Sequence, residues 1–325
     1  MNGSDLLQKF RGVNALVVGD LMLDEYIFGT VSRISQEAPV MVVKQTRVST
    51  VPGGAANVAT NLMALGAQTG VVGAIGDDPA AEDLEQALRL SGVDPICILR
   101  DQGRPTTRKT RVIANHSHQV LRIDIEEEKP ISSKLVAKLV KLVEENLEGK
   151  DVLLLSDYQK GAIPGEVIEK LITLCREKKV PVVANAKPGS AHHYRGASVV
   201  SLNRFEASSA AGLLKPLDDD QAEPIAKSLR DKLDIDSLIV TLGASGMVLA
   251  NKSGTYRVPA IRVEVYDEAG AGDTVIATLA LCAAVESLSE NALRLATHTA
   301  AAVVRKVGVA VPTQEDLGQI ALILR

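Results

Sequence analysis

Short apolar runs and longer stretches of helical period alternate along this chain. Residues 13–18 are apolar and rich in β-branched side chains, and Gly12 and Gly19 close the run at each end, so it reads as a strand buried on both faces. Similar runs recur at residues 70–74, 152–155, 180–184, 197–202 and 237–241. Between many of them, apolar residues return at helical spacing over residues 80–90, 132–147, 164–178 and 219–232. This alternation predicts an α/β fold: a doubly wound, mostly parallel sheet with helices on both faces. Ligands of such sheets gather at the carboxyl ends of the strands. Two segments break the pattern. Residues 26–48 and 107–124 lack helical period and read as antiparallel strands outside the main sheet. Residues 261–266 also read as a strand, and Glu126-Glu127-Glu128 as a solvated loop leading to Pro130.

Composition narrows the classes of function. With 325 residues, 46% of them hydrophobic, the chain can bury a large core, as two domains or as one α/β domain with an appendage. A net charge of −4 gives no general drive toward nucleic acid, and aromatics at 2% leave no stacking platform for single strands. The core must be aliphatic, and an adenine slot would be walled by Val, Leu and Ala. No apolar run is long enough to span a bilayer, so no membrane partner is expected. The start, Met1-Asn2-Gly3-Ser4-Asp5, lacks the features of a signal peptide. Cys97, Cys175 and Cys282 are isolated and odd in number, which fits a reducing cytoplasm. The histidines do not suggest a structural zinc site. His116 and His118 fall in a hairpin tip, His192 and His193 in a loop and His298 on an Ala-rich helix, and neither pair has acidic or Cys partners at ligand spacing.

The chemistry is concentrated in Asp267-Glu268-Ala269-Gly270-Ala271-Gly272-Asp273-Thr274, which opens the apolar stretch 275–285. A glycine-rich turn at a helix start leaves backbone N–H groups unpaired, and with the helix dipole they make a seat for an anion. A carboxylate there repels phosphate, so Asp273 makes sense as a base that takes the proton from a hydroxyl attacking phosphorus. The same residues also suit a plain turn with Asp273 as a helix cap. Upstream, Pro52-Gly53-Gly54-Ala55-Ala56-Asn57-Val58-Ala59 precedes a helix-like run, 58–65, closed by Gly66. Gly53 and Gly54 allow close approach of a ligand, and Asn57 offers a donor and an acceptor to a sugar hydroxyl, or serves as a cap.

Together and in this order, the two elements resemble the PfkB (ribokinase-like) carbohydrate kinases. The upstream signature runs through Gly53, Gly54, Asn57, Ala59, Gly66 and Gly76, and the downstream one through Asp267, Gly270, Ala271, Gly272 and Asp273. An Asn-x-x-Glu feature stands at Asn203-Arg204-Phe205-Glu206. The resemblance covers about residues 13–313. Within the family, the chain is most similar to the heptose 7-phosphate kinases, through the stretches from Val18 to Asp24, from Ser32 to Val40, from Thr107 to Val112, from Leu121 to Asp124 and from Ser156 to Gly161. Some bacterial versions carry a nucleotidyltransferase domain after the kinase, for which 325 residues leave no room.

The resemblance implies one ribokinase-like kinase domain over residues 1–325, with a β lid from two insertions, about 25–50 and 106–125, that commonly pairs across a homodimer. It implies ATP and Mg²⁺ as cofactors and leaves a monovalent cation open. Asp273 takes the base role, and the backbone of Gly270, Ala271 and Gly272 holds the transferring phosphoryl group. Asn203 and Glu206 hold hydrated Mg²⁺, although Glu206 also suits a helix-dipole role. Thr241, Gly243, Gly246 and Lys187 fall on the nucleotide side. Asp24 and Asp20 are carboxylates for the sugar, with a turn role equally open for Asp20. For the distal phosphate of a sugar phosphate, Arg33, Lys109, Arg111 and Arg122 are candidates, against simple surface salt bridges. Three departures stand out. Glu268 replaces the usual Thr or Val, Ala269 the usual Thr, and Asn185 an expected acid. The expected activity is phosphorylation of the anomeric hydroxyl of a heptose 7-phosphate. The alternatives are a kinase for fructose or fructose 1-phosphate, and a weakly catalytic sugar-phosphate or nucleotide sensor.

Overall fold

A computed structural model describes residues 2–115, 118–286 and 288–325, so His116 of the expected hairpin tip lies outside the described residues. In chain order the elements are α1 (Gly3–Phe10), β1 (Asn14–Ile34), β2 (Met41–Gly54), α2 (Ala55–Ala64), β3 (Gln68–Ile75), α3 (Pro79–Leu90), β4 (Asp94–Arg100), β5 (Thr107–Ala114), β6 (His118–Ile125), α4 (Ser133–Asn146), β7 (Val152–Ser156), α5 (Gly165–Lys178), β8 (Val182–Asn185), β9 (Val199–Asn203), α6 (Arg204–Ala210), α7 (Ala222–Leu233), β10 (Ser237–Thr241), β11 (Met247–Asn251), β12 (Gly254–Val258), α8 (Ala271–Val285), α9 (Glu290–Val303) and α10 (Gln314–Ile323). The main sheet runs β12-β11-β10-β9-β8-β7-β1-β3-β4. Its body is parallel, and β11 and β12 extend it antiparallel.

Side chains of a buried strand alternate between two faces, and each face has its own core. On β1, Ala15 and Val17 join the cluster under α1, α2, α8 and α9, whereas Leu16 and Val18 join the one under α4, α5 and α7. Helix ends follow local chemistry. Asp78 caps α3 ahead of Pro79, Ser132 caps α4, and Thr313 forms a capping box with Asp316 on α10. Helix α8 is apolar all round, and every residue from Asp273 to Cys282 is buried. It is therefore an internal helix rather than a surface one. Among the described residues, no helix is long and apolar enough to cross a membrane.

Two sequence expectations need correction, and a third is refined. The lid segments form antiparallel hairpins as expected, but they are joined to the main sheet through β1. β1 pairs with β3 and β7 as far as Asp20, then continues from Leu21 into a second sheet of β2, β5 and β6. There β1 and β5 run parallel, and only β1–β2 and β5–β6 are antiparallel hairpins. Residues 261–266 form no strand. Pro259 follows the edge strand β12 without an N–H to give, and Ile261, Val265 and Tyr266 are exposed in an irregular segment. The acidic run is not merely solvated, because Glu126 and Glu128 both contact the Lys160 ammonium, at 2.9 and 2.8 Å. His193 also has an acidic partner that sequence spacing hides, Glu169, at 2.6 Å.

Where β1 leaves the main sheet, Asp20 fixes the loop after β7. Its carboxylate accepts the backbone N–H groups of Tyr158 (2.8 Å), Lys160 (3.1 Å) and Ala162 (3.0 Å). The turn role is the one this geometry fills. Burial holds the Asp20 carboxyl above its ordinary range while the three N–H groups pull it back. Asp20→Ala would leave those donors without an acceptor. We expect it to cost about 2–5 kcal/mol in denaturant unfolding and to lower turnover, because Tyr158 loses its anchor. Wild-type stability in this variant would contradict the role.

Candidate active site

The glycine turn before α8 forms as the sequence suggests, but with a different use of its N–H groups. Gly270 sits at φ 81°, a left-handed conformation that glycine adopts without strain. The Ala271 N–H bonds back to the Glu268 carbonyl at 3.2 Å. The N–H groups of Gly272 and Asp273 have no backbone partner among the described residues, so they, rather than Ala271, are the free donors of the first turn. A Cβ placed on Gly272 would meet nothing within 4 Å, so the turn opens onto free space.

Asp273 does not cap the helix; its carboxylate is held from two other elements. Tyr158 donates its hydroxyl to Oδ1 at 2.6 Å, and Asn57 donates Nδ2 to Oδ2 at 2.7 Å. Burial pushes the Asp273 carboxyl up to about 6, against the pull of these two donors. Burial and the neighbouring Asp273 together hold the Tyr158 phenol well above its ordinary range, so it stays a donor. The amide of Asn57 is bonded at both ends, since its Oδ1 accepts Asn61 Nδ2 at 3.1 Å. Asn57 therefore orients the carboxylate, a role the sequence did not show. Sequence reasoning gave Tyr158 no role, since nothing in the local pattern reveals a partner 115 positions away.

Two cavities meet at this turn. The smaller, about 170 Å³, is lined by Tyr158, Asn185, Lys187, Asn203, Glu206 and Asp273 among others. The larger, about 420 Å³, shares Thr241 and Gly272 with it and is walled by Val263, Val275, Ala300, Ala301 and Val304. Its apolar walls are Val and Ala with Met247 and Ile261, and among the described residues no Leu lines it. Gly243 (φ 60°) and Gly246 (φ 91°) make the β10–β11 turn that borders it, so a structural turn and a cavity wall coincide. Glu268 and Arg262 line the same cavity. Asn203 and Glu206 form a capping box on α6, and Glu206 Oε1 also pairs with Lys187 Nζ at 2.5 Å. Both oxygens of Glu206 are thus engaged. This donor set suits a cation held through water and already bound to phosphate, not direct ligation.

On the lid side, Asp24 is buried beside Arg111, to which it is ion-paired. Burial raises the Asp24 carboxyl, and Arg111 opposes that shift. A Cβ on Gly53 would lie 2.3 Å from Asp24 Oδ2, which is why glycine stands there. Lys109 lies in register with Asp24 and reaches Asp124 (3.3 Å) and Glu126 (3.4 Å). Arg122 pairs with Asp124 at 3.0 Å and is half exposed. Arg33 is not brought to this site. It is exposed near the outer end of β1, nine residues past Asp24 and roughly 30 Å along the strand.

Comparisons with known proteins agree with this geometry. The model of one protein family, described as pfkB family carbohydrate kinase, matches residues 14–316. The bifunctional protein HldE of Trichlorobacter lovleyi is 39% identical over 315 residues, covering 96% of this chain and 63% of that protein. HldE of Pseudomonas entomophila is 42% identical over 314 residues, covering 96% and 64%. The chain therefore spans just under two thirds of these curated relatives. Among solved structures, phosphofructokinase-2 from Escherichia coli in complex with potassium aligns with TM-score 0.80 at 18% identity, over 96% of this chain and 98% of that one. Arabidopsis thaliana ribokinase complexed with ribose and ATP aligns with TM-score 0.72 at 20% identity, over 95% and 98%. These likenesses fix the fold as ribokinase-like.

Two outcomes are expected at Asp273. In Asp273→Asn the amide oxygen can face Asn57 and its NH₂ can face the Tyr158 oxygen, so the packing is kept while the base is lost. Turnover should fall on the order of 10²–10⁴-fold, with a melting temperature at neutral pH no lower than that of the wild type. Turnover within about two-fold of wild type would remove Asp273 from the chemistry. The second outcome is a pH profile. A base at Asp273 would act deprotonated, so kcat/KM should fall on the acid side with an apparent pKa near 6. Tyr158→Phe deletes a donor that favours the charged form, so the acid limb should move to higher pH. A limb that stays put would mean that Tyr158 does not tune the base.

Proposed function

Because this chain belongs to the pfkB family of carbohydrate kinases, whose donor is ATP, we propose that it phosphorylates the anomeric hydroxyl of a heptose 7-phosphate. The product would be the 1,7-bisphosphate, a precursor for lipopolysaccharide core or ADP-heptose. The observation that carries this reading is the buried Asp273 carboxylate at the start of α8, held by Tyr158 and Asn57 between the paired cavities and the lid. In the reaction the acceptor oxygen forms its bond to the γ-phosphorus as the bond to the ADP oxygen breaks, and Asp273 takes the hydroxyl proton. The Gly272 and Asp273 N–H groups, with Lys187 nearby, supply positive potential where charge gathers on the phosphoryl oxygens. Adenine suits the Val- and Ala-walled cavity. A Mg²⁺ ion arriving with the nucleotide would sit near Glu206 and Asn203 through water and neutralise phosphate charge.

The basic set on the Asp24 face of the lid supports an acceptor that carries a phosphate of its own. Lys109 and Arg111 sit there beside Asp24, and Arg122 lies opposite Arg111 on β6. The opposite face supports a homodimer through the lid. On β6, Leu121, Ile123 and Ile125 project at every second position and are 53, 49 and 39% exposed, a row of apolar side chains that a second copy would cover. A cytoplasmic site of action fits both substrates.

A coupled ADP-release assay over phosphorylated and free sugars tests the reading. Heptose 7-phosphate should be used about ten- to a hundred-fold better than free heptose, because charge-assisted phosphate contacts contribute roughly 1.5–3 kcal/mol. Equal use of the two would replace this acceptor with a free sugar, and preference for fructose 1-phosphate would redirect it within the family.

A further inference from the structure

After α9 the chain slots two residues between the lid and the glycine turn. On the lid side, Tyr26 projects from the same face of β1 as Asp24, and its hydroxyl accepts the Val309 N–H at 2.9 Å. The two residues lie 283 positions apart in the sequence. Tyr26 is buried, and a Cβ on Gly308 would lie 3.1 Å from its ring. Gly308 sits at φ 77°, so the segment passes the ring in a conformation that glycine adopts without strain. On the turn side, the Gly308 N–H bonds Asp267 Oδ2 at 3.0 Å, while Oδ1 accepts the Ala269 N–H at 2.9 Å. A Cβ on Gly270 would lie 3.2 Å from Val309 Cγ1. Gly308 and Val309 therefore meet Tyr26 on one side. On the other they meet the turn that carries the free N–H groups of Gly272 and Asp273.

We infer that Tyr26 is a positioning residue: through Gly308 and Val309 it ties the acceptor face of the lid to the glycine turn, so that acceptor and nucleotide bind cooperatively. This rests on the reading of that face as the acceptor side. Tyr26 lies beside the ion pair of the same face. The Arg111 guanidinium carbon is 5.5 Å from the centre of its ring, and Arg111 is paired with Asp24. An acceptor that engages Asp24 and Arg111 fixes the strand that carries Tyr26. Val309 is then held more firmly, and the turn behind it has less freedom left to lose when phosphate arrives. By linkage, nucleotide must tighten acceptor binding by the same factor. Burial pushes the Tyr26 phenol up to about 12, so it stays protonated and takes no part as a base. Its contribution is the bond to Val309 and the packing of its ring.

The test is Tyr26→Phe, which keeps the ring and removes the acceptor of the Val309 N–H. Hydrogen exchange read by mass spectrometry should speed up about three- to ten-fold over residues 267–274 and 305–311. It should not change over residues 152–156, on β7 inside the main sheet. Binding of a non-hydrolysable ATP analogue, with and without heptose 7-phosphate, reads the link itself. Saturating acceptor should tighten the analogue about five-fold or more in the wild type and by less than about two-fold in the variant. Acceptor affinity in the absence of nucleotide should be the same in both proteins. The inference fails if exchange over residues 267–274 keeps its wild-type rate, or if exchange over residues 152–156 rises equally, since Tyr26 would then be a general support of the fold. It also fails if the wild type shows no coupling, if the variant retains it, or if the variant loses acceptor affinity without nucleotide. If heptose 7-phosphate does not bind the wild type at all, the reading of the acceptor fails instead, and the exchange rates still decide whether Tyr26 holds the turn.

Discussion

Most of this site depends on one closed polar ring buried between α2 and α8. Asp273 accepts from Asn57, the Asn57 oxygen accepts from Asn61, and the Asn61 oxygen accepts from the Thr274 hydroxyl, which returns to the residue next to Asp273. Every member is buried, so any rotation of one helix against the other would strand a donor or acceptor away from water. The ring therefore fixes the rotation of α8, and with it the direction of the Asp273 carboxylate and of the free N–H groups at the helix start. Tyr158 then closes the open side from a loop that Asp20 pins. The arrangement has a thermodynamic cost. A carboxyl moved from its ordinary 3.8 to about 6 costs roughly 3 kcal/mol to keep charged. Because the folded value is the higher one, this cost is absent below about pH 3.8, grows between the two values and is complete above about 6.

The second constraint is that one strand serves two sheets. β1 is buried among parallel neighbours up to Asp20 and then becomes the spine of the lid. Asp20 and Asp24 fall on either side of that junction, so one strand carries the acid that sets the Tyr158 loop and the acid that meets Arg111. Gly53 and Gly54 on the paired strand are needed for the same reason. A side chain on Gly53 would meet the Asp24 carboxylate, and one on Gly54 would meet the Asp20 carbonyl at 2.6 Å. The lid is therefore rigidly tied to the body at its root, whatever its outer end does.

The main sheet and α8 were legible in the sequence because burial on both faces leaves an uninterrupted apolar run, a signal that does not depend on distant residues. The same signal misled at residues 261–266. Apolar and β-branched residues also wall a cavity, and local sequence does not distinguish a cavity wall from a strand. The glycine turn with a carboxylate at the start of α8 was legible for a similar local reason, since both lie within one motif. What escaped were the partners: Tyr158 for Asp273, Asn57 as orienter and Glu126 between two lysines. Each depends on a side-chain contact between elements brought together only by folding. Arg33 was misplaced because a β-strand extends about 3.3 Å per residue, so membership of the lid says little about distance from the site.

The departures at Asn185 and Glu268 look different once placed. The smaller cavity already contains the carboxylates of Asp273 and Glu206 against a single Lys187. A third carboxylate at position 185 would add repulsion against a polyphosphate, and such charge terms reach a few kcal/mol where water is scarce. The neutral amide keeps Lys187 paired with one acid and the cavity less negative. Glu268 is exposed, and its contribution to the turn is its backbone carbonyl, which accepts the Ala271 N–H. Its carboxylate is therefore screened by solvent, and Arg262 lines the same cavity. Ala269 loses a hydroxyl, but its N–H still bonds Asp267, whose other oxygen holds the Gly308 N–H and so ties the turn to the segment after α9. The changes at Glu268 and Ala269 leave the shape of the glycine turn intact, because that shape is set by backbone and by Asp267, not by the side chains that differ.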